Sequence, residues 1–135
     1  MNIILFDLGN TIVRQTSQGY NLIPGSLQAI QEIKSPKGSD GNSFDMSLIV
    51  DTHSKNEASP SEIEKKSKKR LILKILEDTK LRKEFEPIEP HMTLSSDIGF
   101  TKFENLEEFI NTALRKMGKE NEFKKSKRIN PSMYI

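Results

Sequence analysis

The sequence predicts an α/β fold, a Rossmann-like parallel sheet with alternating helices, incomplete as it stands. Three observations predict it. Short apolar runs at residues 2–6, 46–50 and 91–94 alternate with segments of helical periodicity, giving the order β-α-β-α-β-α. The first run, Asn2-Ile3-Ile4-Leu5-Phe6, is apolar throughout rather than alternating, as in a strand covered on both faces. Strands joined through helices must run parallel with right-handed crossovers, and the first two runs end in acids, Asp7 and Asp51, at the edge where such sheets place their chemistry.

Each element has a local cause. Asp7-Leu8-Gly9-Asn10-Thr11 supplies turn residues after the first strand, and residues 12–23 are mixed and polar. Pro24-Gly25-Ser26 opens a short helix with Leu27, Ile30 and Ile33 on one face, stopped by Ser35-Pro36-Lys37-Gly38 in a turn-rich loop over 35–43. After the second strand, Ser59 is expected to cap a helix, with Pro60 at its first position and Glu62 completing a capping box. That helix is expected to reach Thr79 with Ile63, Leu71, Ile72, Ile75 and Leu76 inward. Its Lys65–Arg70 run reads mainly as a solvated face, because no aromatic residues interrupt it. Pro87 and Pro90 precede the third strand, and residues 95–102 read as a loop. Asn105 then caps a helix with Glu107 and Glu108 in its first turn, a stripe of Leu106, Phe109, Ile110, Ala113, Leu114 and Met117, and Gly118 at its end.

Composition narrows the function classes. The chain has 135 residues, room for one core domain over 1–118 and a polar tail over 119–135. It is 34% hydrophobic and 30% charged, with mean hydropathy −0.58, a lean content that predicts marginal stability. A net charge of +2 is too small to argue for nucleic acid, and the absence of cysteine excludes disulfides, thiolate zinc sites and cysteine nucleophiles. No run approaches the ~20 apolar residues of a membrane span, so a cytoplasmic location and no membrane partner are expected.

The segment Asp7-Leu8-Gly9-Asn10-Thr11 resembles the first motif of the haloacid dehalogenase-like hydrolases, a superfamily dominated by phosphatases. The resemblance implies that Asp7 attacks phosphorus, and that Asp7 and the carbonyl of Gly9 hold Mg²⁺. The family's usual pattern is Asp-x-Asp-x-Thr, so Gly9 stands where the acid/base carboxylate belongs. Loss of such a group costs ~10²–10⁴-fold in rate. Met46-Ser47-Leu48-Ile49-Val50-Asp51-Thr52 resembles the second motif, with Thr52 orienting phosphate. Thr93 to Lys102 resembles the third, ending in Gly-x-x-Lys, with Lys102 offsetting charge between Asp7 and phosphate. The fourth motif, an acidic strand end, is missing. The tail closes on Met133-Tyr134-Ile135, which reads as the start of a strand, so a truncated member with little or no cap domain is expected.

The function expected is therefore phosphate monoester hydrolysis through an aspartyl-phosphate at Asp7, weak or lost, with weak Mg²⁺ binding and a small phosphorylated substrate. Two alternatives stand beside it. One is a non-catalytic partial Rossmann-like module that binds a protein partner or self-associates through an exposed sheet edge. The other is a fragment of a calcineurin-like metallophosphoesterase, from the strand-end Asp51-Thr52-His53, although His91 is the chain's one other histidine.

Overall fold

A computed structural model describes residues 3–35, 44–54 and 60–119 of the chain. In order, the elements are β1 (Ile3–Phe6), β2 (Val13–Thr16), β3 (Gly19–Leu22), α1 (Ser26–Lys34), β4 (Asp45–Val50), α2 (Glu62–Asp78), a 3₁₀ turn (Arg82–Phe85), β5 (Met92–Leu94), α3 (Ser95–Ile98) and α4 (Leu106–Lys116). The main sheet has the order β1-β4-β5 and is parallel, with Phe6 opposite Leu48 and Leu48 opposite Met92. The expected mixed α/β architecture with a parallel sheet is therefore present. The expected truncated strand at 133–135, the polar tail beyond Lys119 and the loop over 36–43 lie outside the described residues.

Strand periodicity decides what each face covers. Met46, Leu48 and Val50 of β4 point to one side, where they pack with Ile30 of α1, Ile72, Ile75 and Leu76 of α2, and Phe85. Leu5 and Ile49 point to the other, against Phe109, Ile110, Ala113 and Leu114 of α4. Three layers result, which is why β4 is buried from Met46 to Val50 without alternation. Ser47 and Thr93 place hydroxyls in this interior. Burial also lowers the pKa of His91, partly opposed by Asp45 and reinforced by Lys34. The folded state then binds fewer protons than the unfolded state, in which histidine titrates near ~6.5. The unfolding free energy should therefore fall as pH drops from about 7 to 5, and His91→Asn should flatten that slope in denaturant titrations; an unchanged slope would exclude His91 as its source.

Four local expectations are corrected. Residues 12–23 form the antiparallel hairpin β2-β3, with Thr16 opposite Gly19 across a two-residue turn and Gly19 at φ 118. Polarity hid this hairpin, because only Val13 and Leu22 face each other as an apolar pair. The cap of α2 is Ser61, whose hydroxyl accepts from the Glu64 amide at 3.3 Å; Ser59 lies outside the described residues. On α2, Ile72, Ile75 and Leu76 are buried, but Ile63 is 79% exposed and Leu71 46%. Residues 95–98, read as loop, continue β5 into the short helix α3, ended by Gly99 at φ 89. The last helix follows its sequence pattern closely. Asn105 accepts from the Glu108 amide at 3.1 Å. At the other end, Lys119 N–H donates to the Leu114 carbonyl and Gly118 N–H to Arg115, a closing pair that requires Gly118 at φ 72.

No helix among the described residues is long and apolar enough to cross a membrane.

Candidate functional site

The carboxyl ends of β1 and β4 open into a cavity of about 400 Å³, walled by the hairpin on one side and by α2 on another. Asp7 follows β1 directly. Beyond it the chain folds tightly around the Leu8 carbonyl, which accepts from the amides of Ile12 (3.0 Å) and Val13 (3.1 Å). Asn10 takes the left-handed conformation at φ 61, which asparagine tolerates better than most residues, and its amide donates to Val13. Gly9 bridges Val13 through the flanking Leu8 carbonyl and Asn10 amide, so its own carbonyl is left out of that pairing.

Lys102 closes the site from a position 95 residues further on. Its ammonium donates to Asp7 Oδ1 at 2.5 Å and to the Ile49 carbonyl at 2.9 Å, and the pair is largely shielded, with side chains 17% and 35% exposed. The second Asp7 oxygen accepts a longer bond of 3.3 Å from the Thr11 hydroxyl. Asp51, at the end of β4, holds the backbone in place. Its Oδ1 accepts the Lys102 amide at 2.9 Å and so pins the loop that carries the lysine.

Thr52 belongs to a polar cluster that sequence alone does not reveal. Its hydroxyl accepts from the Ser96 amide at 2.9 Å, and its own amide donates to Ser95 Oγ at 2.8 Å. Ser95 is fully buried and lies 2.9 Å from His53 Nδ1. Since Ser95 Oγ already accepts the Thr52 amide, its proton is available to His53 Nδ1 or to Thr52 Oγ1, 3.3 Å away. These contacts hold Thr52 at the cavity wall with a hydroxyl proton to donate. Lys68, read as part of a solvated run, donates to the Thr52 carbonyl at 2.5 Å. Its neighbours behave as expected: Lys66, Ser67 and Arg70 lie toward solvent, and Lys69 pairs with Glu89 at 2.6 Å, lowering that carboxyl's pKa.

The structure thus brings Asp7, Gly9, Thr52 and Lys102 to one cavity, and adds Asn10, Asp51, Lys68 and Tyr20 to its lining. Asn10 had a faint signal in its turn-forming neighbours. Ser95, Lys68 and Tyr20 had none, and His53 had one only as part of Asp51-Thr52-His53, because their roles depend on contacts across 16 to 44 residues or on an unanticipated hairpin. His53 is buried beside Ser95 rather than joined with Asp51, and among the described residues no three His, Cys, Asp or Glu side chains converge on a metal position.

Comparison with protein-family models, with curated proteins and with solved structures gave no match for this chain.

Proposed function

We propose that the chain is a haloacid dehalogenase-like phosphohydrolase in architecture, taking a small phosphate monoester at Asp7 and turning it over slowly. The observation that carries this reading is the shielded Asp7–Lys102 pair at the carboxyl ends of parallel strands, with Thr52 in the same cavity. An ion pair that served stability alone would gain little from lining an open cavity. A carboxylate that must meet a phosphate dianion needs an adjacent cation, and a compact ammonium suits that role.

In this mechanism Asp7 Oδ2, the less firmly held oxygen, attacks phosphorus. The ester P–O bond breaks, the organic alkoxide leaves with a proton drawn from water, and an aspartyl-phosphate remains. A water molecule then attacks phosphorus and regenerates the carboxylate with release of inorganic phosphate. Lys102 offsets charge on Asp7 and on the entering phosphate, and Thr52 donates to a phosphate oxygen. Both steps are slow because Gly9 supplies neither acid nor base. The donor set fits Mg²⁺ only with phosphate present: Asp7 and the Gly9 carbonyl give two oxygens, and such ions complete their shell with substrate phosphate and water. When bound, the ion would add charge neutralisation at phosphorus.

Incubation with p-nitrophenyl phosphate and Mg²⁺ should give slow p-nitrophenol release that Asp7→Asn reduces by at least ~10²-fold. Release unaffected by the substitution would overturn the assignment of Asp7. The partner-binding alternative predicts none at all from a folded chain. It draws on the same Gly9 and on β1 and β5 standing at the edges of the sheet among the described residues.

A further inference from the structure

The cavity has two unlike walls. Asp7, Thr52 and Lys102 form a charged floor, while Tyr20 from β3 and Leu71 and Ile75 from α2 form an apolar flank. Leu71 is the informative residue. It sits on α2 among charged neighbours and is 46% exposed, yet it lines this cavity instead of joining the buried face of the helix. An apolar side chain left wet at the rim of a charged site gains by covering apolar ligand surface.

Charge narrows the ligand further. The ionisable side chains of the lining with opposite signs, Asp7 and Asp51 against Lys68 and Lys102, cancel. Both lysines are already engaged, Lys102 with Asp7 and the Ile49 carbonyl, Lys68 with the Thr52 carbonyl. Lys102 is shared with Asp7 and Lys68 is bound only to a neutral carbonyl, so the described lining offers charge for one phosphate and little for a second anionic group. A volume of about 400 Å³ lies in the small-molecule range and suits one phosphate plus one ring.

Resting on the phosphate reading above, we propose that the substrate is an aryl monophosphate: a single phosphate on a neutral aromatic group, the phosphate on the floor and the ring against Tyr20 and Leu71. Sugar phosphates lack the apolar surface, and nucleoside polyphosphates or bisphosphates carry charge the lining cannot pair.

Phenylphosphonate and methylphosphonate test this without turnover, since they share the anionic head and differ in the ring. With Mg²⁺ present, calorimetry should show phenylphosphonate binding roughly ten- to a hundred-fold tighter. Leu71→Ser, a change at a half-exposed position, should shrink that ratio several-fold and leave methylphosphonate affinity unchanged. Equal affinities would overturn the aryl assignment while leaving the phosphate site standing. A ring preference indifferent to Leu71→Ser and to Tyr20→Ala would likewise overturn it. Binding of neither phosphonate to folded protein would overturn the phosphate reading first, and the aryl assignment with it.

Discussion

Gly9→Asp is expected to raise Asp7-dependent phosphate ester hydrolysis by about 10²–10⁴-fold, the range a positioned general acid/base contributes. The backbone admits the change. A Cβ at position 9 would meet no atom within 4 Å, and Gly9 is not among the glycines with positive φ. The new carboxyl would stand two residues after Asp7, beside the same cavity, where its protonated form can donate to the departing oxygen and its ionised form can activate water. Both halves of the reaction should benefit. On the proposed mechanism the second half would be slow in the parent protein as well, so a phosphorylated form at Asp7 should persist long enough for detection by intact mass, and Gly9→Asp should shorten its life. Initial rates with p-nitrophenyl phosphate settle the matter, with Asp7→Asn/Gly9→Asp as the control expected to stay inactive. A folded Gly9→Asp protein no faster than the parent would show that the missing carboxylate is not what limits this site.

Phe85→Ala should destabilise the fold by about 3–5 kcal/mol, the usual cost of emptying a buried aromatic position. Phe85 closes the 3₁₀ turn after α2, is fully buried, and meets the Phe6 ring edge-on at 6.0 Å and 83°. It is thus the part of the α2 layer that touches β1 directly before Asp7. Small domains hold only ~5–15 kcal/mol in all, so the loss would consume much of the reserve. Urea denaturation should show a lowered midpoint at unchanged slope. Phe103→Ala, at a side chain 77% exposed, should shift the midpoint far less. Equal shifts from the two substitutions would refute the packing assigned to Phe85.

Elements whose cause is local were legible in sequence. The helix from Leu106 to Lys116 announces itself through Asn105, its apolar stripe and Gly118, all within one window. Strands β1, β4 and β5 are plain because both faces are buried and the residues need not alternate. The hairpin escaped because a strand pair half open to solvent carries little apolar signal. Leu71 was misjudged for a related reason: helical spacing marks it as apolar, and only the cavity beside it explains why it faces away from the core. Sequence pattern alone places the cap of α2 on Ser59, two positions early, and the Glu64 amide bound by the Ser61 hydroxyl puts it on Ser61.

The sequence by itself determined a mixed α/β chain with an acid at the end of its first strand, because strand burial and helix periodicity are written in neighbouring residues. It also determined that position 9 lacks a carboxylate, since no fold can supply a side chain that is not encoded. Only the tertiary structure decided that Lys102 meets Asp7, that Asp51 holds the Lys102 loop and that Ser95 and His53 support Thr52. Such pairings span 42 to 95 residues. They arise because parallel strands deliver their carboxyl ends to one edge of the sheet, a convergence that exists only once the crossovers are made.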